Sequence, residues 1–180
     1  MERAFSLYEK NVLLSARFLV CTHFMEIALR NEIHVILSAS VGHDWMLRSG
    51  ALLYPQTEQL KRALEYLGKA DKPAKGNFLV SELPLGFWVG ILSSKYEKGK
   101  NRQYWRRFLH KGFAHRGDRR DRPELHGRYD ELRNFRNRVA HHERILHQRP
   151  ERQIDKCLEA IGWISPEMRN WARQLLDKMP

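Results

Sequence analysis

The chain has 180 residues, 42% of them hydrophobic, which suits one domain spanning residues 1–180 with a real core and excludes wholesale disorder. Lysine and arginine outnumber aspartate and glutamate by 32 to 21, for a net charge of +11 and an isoelectric point near 10.0. That balance says nothing about fold, but it favours a polyanionic partner, nucleic acid ahead of an anionic membrane, over a generally basic protein with neither.

The two cysteines, Cys21 and Cys157, sit far apart among apolar residues. They make neither a metal-ligand pattern nor a disulfide framework, so two buried thiols are expected. The N-terminal MERAFSLYEK lacks the apolar run of a signal peptide. The most apolar stretch, VLLSARFLVCTHFMEIAL, carries Arg17, His23 and Glu26 and reads as too short and too charged to span a bilayer. A cytoplasmic protein with no membrane partner is the expectation.

Strand signals are almost absent and helical periodicity recurs throughout, so the fold class is all-α. The first helix is expected to begin near SLYE, where Ser6 and Glu9 have capping-box spacing, and to run past Leu37 to a stop at Gly42. A second follows Pro55 and ends at Gly68, and DKPAKG is a loop. Residues 77–97 are apolar and helical, interrupted at Pro84 and Gly86, and the FWVG run there reads as core or dimer packing. GKNRQYWRRFLHKGF reads as a basic aromatic helix, and GDRRDRPELHG as a charged loop. A strong helix is predicted from about Leu125 to Leu146. Two shorter ones close the chain, near 151–162 and after Ser165, where serine as N-cap and proline at the first helical position make a start signal.

The chemistry concentrates in RNRVAHHER, Arg136 to Arg144. On a wheel of about 100° per residue, Leu132, Phe135, Val139 and Leu146 form the core stripe. Arg133, Asn137 and His141 form a second stripe, with Asn134 beside it and Arg136 close enough to lean over it. His142 falls nearer the core edge, where a packed, hydrogen-bonded histidine is the simpler reading. His141 is either a plain surface residue or a proton carrier beside groups that can hold a phosphate. HERILH is no zinc-protease motif, because His142 and His147 are five apart, about 140° around a helix. No glycine-rich phosphate loop is present, so nucleotide hydrolysis and dinucleotide binding have no support.

The first helix carries a comparable polar stripe: His23, Glu26, Arg30 and His34, with Asn31 alongside. An i, i+4 ion pair would account for Glu26 and Arg30 but not for the others. The two stripes are expected to face one shared cleft.

MEIALRNEIH, ELPLGFWVGILSSKY and LRNFRNRVAHHERIL, in that order and spacing, resemble the Abi-like (abortive infection) proteins of the HEPN superfamily, and the three blocks cover most of the chain. The signature of that superfamily is an arginine, usually followed by a polar residue, with four to six residues before a histidine; Arg136, Asn137 and His141 match it. The resemblance implies a four-helix-bundle core with additional helices. It also implies a metal-independent endoribonuclease without a cofactor, and a homodimer whose site forms where two copies meet. It places Arg136, Asn137 and His141 in the catalytic role; Glu26, Arg30, Asn31, His34, Arg133 and His142, on the two polar stripes or beside them, are expected to support them. Family members include toxins and antiphage effectors, and others that only bind RNA; for a basic toxin the expected control is an antitoxin, an acidic protein or a small RNA, or else phage-dependent activation.

The basic stretch adds an RNA track through Arg102, Arg106, Arg107 and Lys111. Its aromatics Tyr104, Trp105 and Phe113 either stack on bases or, more simply, form the core face of their helix. The competing functions are a non-catalytic RNA-binding or regulatory module on the same fold and a DNA-binding helical protein. The latter lacks a clear helix-turn-helix. A membrane-surface role is the weakest, since the basic residues are not gathered opposite a long exposed apolar face.

Overall fold

In the computed structural model, residues 2–99, 102–116 and 121–179 are described. The chain is 77% helical, with eight α-helices and no strand among the described residues, so the all-α class holds. The helices are α1 (Glu2–Val41), α2 (Gln56–Lys69), α3 (Gly76–Glu82), α4 (Leu85–Ile91), α5 (Tyr104–Arg107), α6 (Arg122–Ala140), α7 (Pro150–Gly162) and α8 (Pro166–Asp177). They divide into two compact units: Met1–Ala28 with Gly127–Pro180, and Leu29–His126.

In the first unit, α1 contributes Leu14, Phe18, Cys21 and Met25, all buried at alternating spacings of four and three, which is one face of a helix. Tyr129, Leu132, Phe135 and Val139 are the buried stripe of α6. The two stripes meet edge to face at Phe18 and Phe135, with ring centroids 4.6 Å apart. Each such buried aromatic contributes about 1.5–3 kcal/mol of transfer free energy. The Tyr129 hydroxyl donates to the Ala160 carbonyl at 2.9 Å, which fixes α7 against α6. Glu131 pairs with Lys156, and Arg128 with Glu159, along the same edge. Cys21 and Cys157 are free, buried thiols; burial pushes Cys157 well above its usual range, and the neighbouring Cys21 adds to the effect. The start of α8 follows the sequence signal, for Ser165 Oγ accepts the Met168 amide at 3.1 Å and Pro166 takes the first helical position.

In the second unit, Leu29, Ile33 and Leu37 continue the apolar face of α1, and Leu79, Phe87, Trp88 and Ile91 are buried, as is a polar group. There the Tyr96 hydroxyl accepts the Leu53 amide at 2.9 Å and donates to Gln56 Oε1 at 3.2 Å. Burial pushes the Tyr96 phenol up to about 12. Gln56 can reach this position because residue 90 is glycine: a Cβ there would stand 1.8 Å from Gln56 Nε2.

Several element boundaries differ from the sequence reading. Helix α1 begins at Glu2, so Ser6 and Glu9 lie inside it and cap nothing; it is continuous to Val41, where Gly42 at φ 117° stops it as expected. The break at Pro84 is present, but α4 runs through Gly86. Helix α6 begins at Arg122, inside the expected loop, whose residues 117–120 lie outside the described residues. The basic aromatic stretch, of which Lys100 and Asn101 also lie outside, is not one helix. It is the single turn α5 followed by 3-10 turns at Leu109–Lys111 and Ala114–Arg116. A single helix would set Tyr104 and Phe113 about 180° apart, whereas the broken path buries both.

By length and composition α1 can cross a bilayer, since its most apolar 18-residue window has a mean hydropathy of 1.6. This differs from the sequence reading of that stretch as too short and too charged. The apolar side chains at Phe18, Cys21, Met25, Leu29, Ile33 and Leu37 are instead packed inside the protein.

Candidate functional site

Helix α6 stops at Ala140, not at Leu146. His141 still closes a helical bond, its amide donating to the Asn137 carbonyl at 3.0 Å. His142 then turns left-handed, at φ 58°. Its amide donates to Val139 O and the Glu143 amide to Arg138 O, each at 3.0 Å. This crossed pair is a Schellman cap, with His142 in the position that glycine usually takes. The wheel therefore fails beyond Ala140. Leu146, expected in the core stripe, is only half-buried, and Ile145 is fully buried in its place. His142, expected as a packed and hydrogen-bonded histidine, is exposed and has no side-chain hydrogen bond to any described residue; its structural part is played by its backbone.

The cap sorts the polar side chains. Arg133 is held by Asp130, with Nε at 3.0 Å and Nη2 at 2.8 Å from Oδ1, and Asn134 donates to Asp130 Oδ2 at 3.2 Å. Arg138 reaches Glu143 at 3.5 Å. Arg136 and Asn137, half-buried, and His141, exposed, have no side-chain hydrogen bond or ion pair with any described residue, including one another. So the last turns of α6 and the residue that follows carry two arginines with acidic partners and leave a guanidinium, an amide and an imidazole open. Cations here also suit the partial negative charge of a helix C-terminus.

Asn11 of α1 holds the loop that follows. Its Oδ1 accepts the Ile145 amide at 2.9 Å, and its Nδ2 lies 3.5 Å from the Glu143 carbonyl. Sequence reasoning missed this residue, although a signal was present: Asn11 is the next position outward on the stripe of Leu14, Phe18, Cys21 and Met25, a lone amide on an apolar face.

The second polar stripe divides. Glu26, half-buried, belongs to the first unit and forms no ion pair. Arg30, Asn31 and His34 belong to the second. Arg30 is half-buried, and its Nε has no hydrogen-bond partner; Asn31 is exposed. His34 has a different setting. Trp45 Nε1 donates to its Nδ1 at 3.4 Å, and its Nε2 lies 3.4 Å from Ser38 Oγ. This arrangement suits the neutral ring with its proton on Nε2. His34 lines a cavity of about 320 Å³ with His43, Asp44, Met46, Leu47 and Lys75. Burial, and then the nearby His43, push its pKa down.

Of the expected RNA track, Arg102 serves as a structural tie, with Nε donating to Lys98 O and Nη1 to Gly50 O, both at 3.0 Å. Arg106 and Lys111 are exposed, and Arg107 stands over the Phe108 ring at 4.8 Å. Tyr104, Trp105 and Phe113 are core residues rather than stacking platforms. Among the described residues, no three His, Cys, Asp or Glu side chains are placed to hold a metal ion. Comparison of the chain with protein-family models, with curated proteins and with solved structures gives no match.

Proposed function

We propose that this chain is a metal-independent endoribonuclease of the abortive-infection type, acting as a homodimer with Arg136, Asn137 and His141 at its site. One observation carries the reading: these three side chains have no partner among the described residues, while the flanking Arg133 and Arg138 are held by Asp130 and Glu143. An open cation, amide and imidazole are the groups that bind a phosphodiester and move its proton. The resemblance of the three sequence blocks to Abi-like HEPN proteins points the same way, as does the net charge of +11.

In this reading His141 accepts the proton of a ribose 2′-hydroxyl while that oxygen attacks the adjacent phosphorus. Arg136 balances the charge that develops on the phosphoryl oxygens, and Asn137 orients the phosphate. The bond to the 5′-oxygen breaks, leaving a 2′,3′-cyclic phosphate and a 5′-hydroxyl. The leaving oxygen takes its proton from His141 of the partner subunit. A second copy is invoked because no group among the described residues orients His141. The protein would act in the cytoplasm as an antiphage effector, kept silent by a protein or small-RNA antitoxin.

The test is cleavage of single-stranded RNA in EDTA by the parent protein and by His141→Ala. The parent should release 5′-hydroxyl ends, and the variant should be slower by about 10²–10⁴-fold, the usual contribution of a positioned acid–base group. Equal cutting by both would falsify the assignment. RNA bound but uncut by the parent would favour the non-catalytic RNA-binding module.

A further inference from the structure

Beside the end of α6, the first unit holds a cavity of about 330 Å³ that the three motif residues do not line. One wall is a single face of α1: Ala4, Leu7, Tyr8 and Asn11 stand at i, i+3, i+4 and i+7. The other wall is the loop after the cap, through His142, Arg144 and Leu146. The residues between them turn away: Glu143 pairs back to Arg138, and Ile145 is fully buried. The Asn11 clamp joins the two walls and sets their separation.

The lining has a definite chemistry. Ala4 and Leu7 are apolar, and Tyr8 is 71% exposed, a ring presented rather than packed. His142 and Arg144 are exposed, with no side-chain hydrogen bond or ion pair to any described residue. A flat heterocycle fits the apolar and aromatic wall, and polar acceptors or a phosphate fit the cations opposite. The volume is at the small end of ligand pockets, room for one ring system rather than a peptide segment.

The geometry points to a nucleobase subsite: one unpaired base of single-stranded RNA enters the cavity, stacks on Tyr8, and offers its polar edge or adjoining phosphate to Arg144. This rests on the reading of Arg136, Asn137 and His141 as a phosphodiester site, because His142 follows His141 directly, Arg144 comes just after, and the two place the base next to the cut bond. Bases stacked inside a duplex cannot enter, so the subsite selects single strands.

The experiment measures binding, so that it does not depend on cleavage. A fluorescent 2′-O-methyl oligonucleotide, which lacks the attacking hydroxyl, is titrated in three forms: single-stranded, abasic throughout, and paired to its complement. The parent should bind the single strand about tenfold more tightly than the abasic strand or the duplex. Tyr8→Ala should abolish that preference, Tyr8→Phe should keep it, and Arg144→Ala should weaken binding of all strands. Equal binding of normal and abasic strands, or a preference untouched in Tyr8→Ala, overturns the subsite whatever the cleavage assay shows. A Tyr8→Ala protein that loses the preference only because its oligomeric state changes, read by light scattering, also overturns it. A Tyr8-dependent preference in a parent protein that cuts no RNA keeps the subsite and removes the nuclease reading.

Discussion

Asn11 and Ile145 lie 134 positions apart in sequence and are joined by a 2.9 Å hydrogen bond, the backbone amide of one meeting the side-chain oxygen of the other. That bond takes up the amide of a fully buried residue where α6 has ended and α7 has not begun. Asn11→Ala leaves the Ile145 amide unsatisfied and should cost about 1–3 kcal/mol of unfolding free energy in a urea titration. Asn11→Asp keeps the accepting oxygen and should recover most of the loss near neutral pH. RNA cleavage, if the proposed site is right, should fall in the alanine variant even below its melting range, because the loop after His141 is no longer held. A urea midpoint in Asn11→Ala equal to the parent's would show that the clamp is idle.

His142 occupies a left-handed conformation that suits glycine and costs other residues roughly 1 kcal/mol. His142→Gly should therefore raise stability by about 0.5–1 kcal/mol, and His142→Val, β-branched in the same conformation, should lower it by more than 1 kcal/mol. A packed, hydrogen-bonded imidazole would give the opposite result for glycine. Paired thermal melts of the two variants distinguish the alternatives.

Gly90 leaves room for the Gln56 amide, which accepts from the buried Tyr96 hydroxyl. Gly90→Ala should displace Gln56 and break that bond, at a cost of about 1–3 kcal/mol, despite the better helix propensity of alanine. The double variant Gly90→Ala with Gln56→Ala removes the clash and should be less destabilised than the sum of the two single variants, which a double-mutant cycle reads directly.

The neutral form of His34 is favoured in the folded state, by burial and then by His43. With the folded pKa below the ordinary value of about 6.5, the unfolded chain binds the extra proton first. The contribution is thus fully present above pH 6.5 and is lost as pH falls from there through the folded pKa. His34→Asn, which keeps an acceptor for Trp45, should flatten that part of the stability profile. Glu32, whose pKa burial raises, acts in another window: its contribution fades as pH rises from about 4.5, and it remains in the variant. Chemical denaturation of both proteins between pH 5 and pH 8 measures the difference.

Where a single periodic signal decided the outcome, the sequence was enough. The stripe of Leu132, Phe135 and Val139, the stop at Gly42, and the start at Ser165 and Pro166 were all legible, since each rests on local spacing or local backbone preference. The end of α6 was not. RNRVAHHER continues a good helical pattern, and nothing local marks His142 as a cap where glycine is usual; the turn is set by burial of Ile145 and by Asn11 far away in sequence. The aromatic stretch after Arg102 misled for a related reason, since burying both Tyr104 and Phe113 outweighs helix continuity. At the candidate site, the identities of Arg136, Asn137 and His141 could be read from the sequence. That Arg133 and Arg138 have acidic partners while Arg136 does not is a matter of which carboxylate lies in reach.

The division of the chain also orders its synthesis. Leu29–His126 is contiguous, whereas the unit that holds Arg136, Asn137 and His141 joins Met1–Ala28 to Gly127–Pro180. During translation the first of these can assemble while the second still waits for its last helices. Phe18, Cys21 and Asn11 are made early, but their partners Phe135, Ile154 and Ile145 emerge only after all of Leu29–His126. A nascent chain truncated before Gly127 carries none of the motif, and one truncated before α7 carries the motif without the helix that Arg128, Tyr129 and Glu131 of α6 hold. The proposed site, built this way, comes together only after residues from Gly127 onward have joined Met1–Ala28, so any cutting of RNA there would have to wait for the second of these segments to leave the ribosome.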